Sequence, residues 1–208
     1  FAFGKGGMLG LPAQVMGELL IGFLIFAGML MASEAGKFFL TLALCLLGRF
    51  RGGPAKVAVL ASGFFGSLSG ASMANVATTG SITIPAMKRL GYPPHYAGAI
   101  EAVASTGGII MPPVMGAVAF LMTVITGIPY TVIIVAAVIP AILYYYGLLV
   151  QVDAYAARAG LRGLPREEIP PLLTTLKEGW PFIIVFIFLS FWLVLLPKPL
   201  PSVLPLGL

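Results

Sequence analysis

The stretch that most constrains this chain is residues 57–87, a run without a charged side chain that lies between Lys56 and the pair Lys88-Arg89. A helix needs about twenty residues to cross a hydrocarbon core of ~30 Å, so this run is too long for one crossing and too short for two with a turn. Its centre, residues 67–81, is crowded with Ser, Thr, Gly and Ala. Such a sequence leaves irregular backbone, which is tolerated at membrane depth only where protein or a watery cavity surrounds it. Cationic residues at both ends place both ends on the same face. The pattern predicts a re-entrant helical hairpin over residues 52–91, with Ser69 to Asn75 near its tip. Close packing through small residues would favour the same composition and stands as the alternative.

The rest of the chain agrees with a membrane setting. Hydrophobic residues make up 59% and charged residues 9% of the sequence, far from the roughly one-quarter charge of soluble domains. The fold class expected is all-α and polytopic. Residues 11–31 form a first span interrupted by Glu18, and the polar stretch 33–37 ends it. Residues 38–47 are apolar but too short to cross, which predicts a segment along or dipping into the interface. Residues 94–127 are broken by Ser105-Thr106-Gly107-Gly108 and by Met111-Pro112-Pro113, so a broken helix is expected, with freed carbonyls at the break. Residues 131–150 cross back, residues 151–177 form a polar cytoplasmic loop, and residues 181–196 form a last span with Trp180 and Trp192 as interfacial anchors. With this topology ten of the twelve Lys and Arg residues face the cytoplasm, and only Lys5 and Lys198 lie outside. The chain starts with Phe1 and reads as a fragment of something longer, with no signal peptide assigned.

The net charge of +5 comes from short clusters between apolar runs, without a basic face interleaved with aromatics, which excludes nucleic acid as the partner. Cys45 is the single cysteine and His95 the single histidine, so an intrachain disulfide and a Cys/His metal cluster are excluded as well. His95 reads as a surface or capping residue. Residues 66–70 do not fit Gly-x-Ser-x-Gly, and no phosphate-binding Gly-x-x-x-x-Gly-Lys-Ser/Thr loop occurs, so a serine hydrolase and an ATP-driven pump are both disfavoured. The methionines and the run Tyr144-Tyr145-Tyr146 are expected to serve as packing residues and as an aromatic belt.

A hairpin beside a broken helix is how secondary transporters place helix ends and carbonyls at mid-membrane. A hard cation such as sodium wants oxygen ligands. Ser69, Ser72, Asn75, Thr78 and Thr79 supply side-chain oxygens, and residues 105–111 supply carbonyls. Asn75 is costly at that depth unless satisfied, and capping a half-helix is its alternative role. Glu101 also lies within the apolar run, but its place two turns after Pro94 is read as interfacial.

Three blocks, residues 69–87, 91–94 and 104–113, together with Gly48-Arg49-Phe50-Arg51-Gly52-Gly53-Pro54, resemble the large membrane subunit of tripartite ATP-independent periplasmic (TRAP) transporters, most strongly over residues 45–125. Asn75 followed by Val-Ala-Thr-Thr-Gly is similar to the TAXI branch, whose small and large membrane subunits are often fused. The resemblance implies that residues 1–208 are part of an inverted-repeat elevator transporter in a bacterial or archaeal inner membrane. It implies sodium-coupled import of organic acids delivered by a periplasmic solute-binding protein. On that reading Ser69, Ser72, Asn75, Ser105, Thr106 and Gly107 hold sodium, and Ser72, Asn75, Thr79 and Gly108 meet the substrate. Another ion-coupled anion symporter with the same half-architecture, or a passive channel, stand as alternatives.

Overall fold

The computed structural model describes residues 10, 13, 17 and 21–195, and among them it contains eight α-helices and no strand. Glu18, Lys5, Lys198 and most of residues 11–20 of the first expected span lie outside the described residues. Helix α1 is Ile21–Ala32. The polar stretch at 33–37 breaks the chain as expected, with Glu34 in the left-handed region at φ 63°, and α2 follows as Ala35–Leu47.

Helix α2 does not simply lie along a surface. It buries Phe38, Phe39, Leu40 and Ala43 against α3 (Gly53–Ser69) and α8 (Leu172–Leu195). Phe38 stacks on Phe182 at 5.4 Å between ring centroids, while Phe39 meets Phe64 and Phe186. Phe38 lies directly against Gly179, where any side chain would occupy its ring. Aromatic clusters of this kind add to the area they bury, by about 0.5–1.5 kcal/mol per pair.

Helix α4 (Ser72–Arg89) returns alongside α3. The pairing is antiparallel: Asn75 lies opposite Gly66, and Thr79 opposite Ser62. The turn between them is Gly70, at φ 60°. Its α-carbon faces the carbonyl oxygen of Met115 so closely that a Cβ would collide with it. Both requirements select glycine. At 1.5 Å per residue α3 and α4 are about 25 and 27 Å long.

The run that begins at Pro94 divides into α5 (Pro94–Gly107) and α6 (Ala117–Thr126). Between them the backbone leaves the helix through the cis Pro112-Pro113 bond and Met115 at φ 62°. Helix α5 packs against both α3 and α4, and α7 (Tyr130–Arg158) closes the far side.

Two expected boundaries are corrected. The polar loop is shorter than 151–177, because α7 continues to Arg158 and α8 begins at Leu172, leaving only residues 159–171 with a 3-10 turn at Arg166–Glu168. Residues 151–158 are polar but contain no Gly or Pro, so nothing stops the helix before Gly160. The last helix likewise starts nine residues before Pro181, which sits inside it.

Helix α7 and the stretch Arg166–Phe191, most of which is α8, are long and apolar enough to cross a membrane. The outer face of α7 exposes Val132, Val135, Ile139, Ile142 and Leu143. A contiguous apolar face of that kind is rare on a protein surrounded by water.

Candidate functional site

The polar residues predicted from sequence fall into two adjoining groups, one at the hairpin tip and one a turn or two deeper between α3, α4 and α5. At the tip the break in the α5–α6 run packs onto the end of α3. The Val114 amide donates to the Ser67 carbonyl at 3.0 Å, and the Gly116 amide donates to the Ile109 carbonyl at 2.7 Å. One donor thus comes from the broken segment to satisfy a carbonyl in the last turn of α3, where the helix offers none. Gly66 and Gly108 meet backbone to backbone.

The Ser69 hydroxyl oxygen is buried at this junction with no hydrogen-bond partner among the described residues. Leaving a buried hydroxyl unpaired costs about 1–3 kcal/mol, so the tip carries an unmet demand for a polar or ionic ligand. Ser72 stands half-buried at the start of α4. Asn75 is fully buried and donates to the Ser62 carbonyl at 2.8 Å, which ties α4 to α3 just below the tip.

Gly107 and Gly108 are buried beside the tip, whereas the Thr106 side chain is exposed and bonds back to the Ala102 carbonyl at 2.8 Å. The carbonyls of Ser105, Thr106, Gly107 and Gly108 are not free, contrary to expectation. Each accepts an amide three residues ahead, from Gly108, Ile109, Ile110 and Met111. The chain tightens into 3-10 turns as the helix ends, a common way of satisfying terminal groups, and each oxygen retains its second lone pair.

Glu101 is the residue sequence reasoning misplaced. It is not interfacial but fully buried, the only charged side chain among the described residues with no exposure. Its Oε1 accepts from Ser62 at 2.9 Å, from Ser105 at 3.3 Å and from Thr79, while Oε2 accepts from Thr83 at 2.5 Å. The four hydroxyls come from all three helices. Thr79, expected at the substrate, is therefore sealed between α4 and α5.

A sequence signal for this group existed. Asn75, Thr79, Thr83 and Met87 recur every four residues and form the buried stripe of α4, and Glu101 lies on the α5 face shared with Ala97, Ala104 and Ser105.

Behind the break, Tyr145 donates to the Ala104 carbonyl at 2.9 Å and Tyr144 to the Val103 carbonyl at 2.8 Å. These two rings pack into space left by Gly107, and Gly63 borders Tyr145. The aromatic-belt expectation therefore fits only Tyr146, which faces outward, because the amide that would have served Ala104 turns to Ser105 and Tyr145 replaces it. His95 is exposed, and so is Trp180, while the side chain of Trp192 lies outside the described residues.

At the other end of the hairpin, Asp153 of α7 bridges Arg51 and Lys56, with Lys56 Nζ at 2.6 Å from Oδ1. The hydrogen bonds from these two cations hold the Asp153 carboxyl down at about 2. This contact pins the base of α3 to the polar end of α7.

A family model for the DctM component of tripartite ATP-independent periplasmic transporters matches residues 6–201, well beyond the central blocks that carry the resemblance. The chain is 32% identical over 174 residues to the C4-dicarboxylate TRAP transporter large permease protein DctM of Pseudomonas aeruginosa, covering 83% of this chain and 40% of that protein. It is 32% identical over 149 residues to the isethionate TRAP transporter permease protein DctMQ of Oleidesulfovibrio alaskensis, 71% of this chain and 23% of the relative. Similarity to the sialic acid TRAP transporter permease protein SiaT of Haemophilus influenzae is 27% over 180 residues, 86% of this chain and 27% of the relative. The chain thus spans less than half the length of the curated relatives it matches, and those relatives are named as permeases, not as enzymes. With the family model matched over nearly the whole chain, this protein belongs to the DctM family of TRAP transporter large permease components.

Proposed function

We propose that this chain supplies one half of the membrane domain of a sodium-coupled importer of organic acids in the inner membrane, fed by a periplasmic solute-binding protein and completed by a small membrane subunit. The α3–α4 hairpin is then re-entrant, with Gly70 near mid-membrane, and it moves across the bilayer as part of a transport body in the elevator manner. The observation that carries the reading is the junction of the tip with the break. Two interruptions of helix, far apart in sequence, are packed onto each other, and the last residue of α3 at this junction, Ser69, carries a buried hydroxyl without a partner among the described residues.

Irregular backbone of this kind is stable at membrane depth only around a site or within protein. Sodium would be held by Ser69, Ser72 and the Asn75 side chain, with the remaining lone pairs on the carbonyls of 105–107. Thr106 would contribute through its backbone, since its side chain faces away. An organic anion would meet the first turn of α4, where the amides of Ser72, Met73 and Ala74 precede the first intrahelical donor, Asn75. Unpaired amides and the helix dipole favour negative charge there. On this reading Ser72 and Gly108 would border the anion, with Asn75 beneath it.

The test is the thermal stability of the full-length protein in sodium against potassium or choline, for the wild type and Ser69→Ala. This substitution removes no hydrogen bond, so it isolates ligand binding from folding. A ligand at 100 times its dissociation constant adds about 2.7 kcal/mol of stability. A sodium-specific rise that shrinks in Ser69→Ala supports the reading, and equal curves in all three salts would sink it.

A further inference from the structure

We propose that Glu101 anchors a cation site of its own, deeper than the hairpin tip, which takes one sodium-like monovalent cation in a shell of side-chain oxygens. The first argument is charge. Glu101 is fully buried, and no Lys, Arg or His among the described residues pairs with it; the ion pairs they form are Lys37–Glu34, Arg51–Asp153 and Lys56–Asp153. An ionised carboxylate left alone in the interior costs several kcal/mol, and buried charges are as a rule paired or bound to metal ions. One monovalent cation neutralises one carboxylate, whereas a divalent ion would leave a net positive charge in the same place.

The second argument is the donor set. Two carboxylate oxygens and the hydroxyls of Ser62, Thr79, Thr83 and Ser105 make six oxygens, with no nitrogen or sulfur. Hard cations take about six such oxygens.

The third argument is that the hydroxyls have somewhere else to turn. Thr79 lies 2.8 Å from the Asn75 carbonyl, Thr83 lies 3.0 Å from the Thr79 carbonyl, and Ser62 lies 3.1 Å from the Thr79 hydroxyl. With the ion absent, their protons point at the carboxylate. With the ion bound, the same protons rotate onto these alternative acceptors, and the lone pairs face the cation. For these three hydroxyls neither state strands the proton.

The site would couple to the tip through Asn75. That residue's carbonyl receives the Thr79 proton, and its side chain holds the carbonyl of Ser62, about two turns below Ser69 in α3. The proposal does not depend on sodium binding at the tip, and one experiment separates the two. Radiosodium binding to the purified full-length protein is counted by equilibrium dialysis for the wild type, Glu101→Gln, Ser69→Ala and Thr83→Val. The expected result is one ion fewer in Glu101→Gln, and in Thr83→Val an unchanged count with affinity weakened roughly tenfold, the size of effect seen when a supporting contact at a metal site is lost. A full complement of ions in Glu101→Gln overturns the Glu101 site whatever Ser69→Ala does. An undiminished count with wild-type affinity in Ser69→Ala overturns the tip site alone. If Glu101→Gln does not fold, Thr83→Val decides, and wild-type affinity in that variant overturns the proposal.

Discussion

The α-carbons of Gly66 and Gly108 face each other so closely that a methyl group on either would lie 2.6 Å from the other. Through this contact the hairpin and the broken helix share one junction, because no side chain separates their backbones. Gly66→Ala or Gly108→Ala should therefore push the two apart. We expect a loss of about 1–3 kcal/mol in stability, the usual cost of overpacking, together with loss of uptake in reconstituted vesicles. Wild-type uptake by either variant would show that the junction tolerates separation.

Tyr145→Phe should leave the Ala104 carbonyl without its only side-chain donor at the end of α5. The expected cost is about 1–3 kcal/mol, read as a lowered Tm of the full-length protein in detergent. Tyr146→Phe, on the same helix but facing outward, is the control and should leave Tm unchanged.

Ser69→Ala removes a buried oxygen that has no partner. In the absence of sodium the variant should be as stable as the wild type, or more stable by about 1 kcal/mol, since an unsatisfied group is replaced by an apolar one. A large loss in sodium-free buffer would mean that the hydroxyl has a structural partner.

Asp153→Asn should loosen the link between the base of α3 and α7. The carboxyl is depressed to about 2 by Arg51 and Lys56, below its unfolded value of about 3.9. The contribution of the bridge is therefore complete above about pH 4–5 and is lost as pH falls through the folded value. The difference in Tm between Asp153→Asn and the wild type should be constant from pH 5 to 8 and narrow below pH 4. A difference that changes between pH 6 and 8 would assign the effect to another group.

The apolar helices, the break near Gly108 and the hairpin turn near Gly70 were legible along the chain, because length, charge placement and Gly/Pro punctuation act locally. The sequence also carried the family. Helix boundaries beyond Val150 and before Pro181 were less legible, since polar residues can end a membrane span without ending a helix. The burial of Glu101 was not legible in this way. Its position two turns from Pro94 is compatible with an interface or a core, and the choice depends on Ser62, Thr79, Thr83 and Ser105 arriving from three helices. The same holds for Tyr144 and Tyr145, whose carbonyl partners lie 41 residues earlier. Periodicity states which face of a helix is buried, but the polar partner that makes burial of a charge or a hydroxyl tolerable comes from another helix, and no local pattern identifies it.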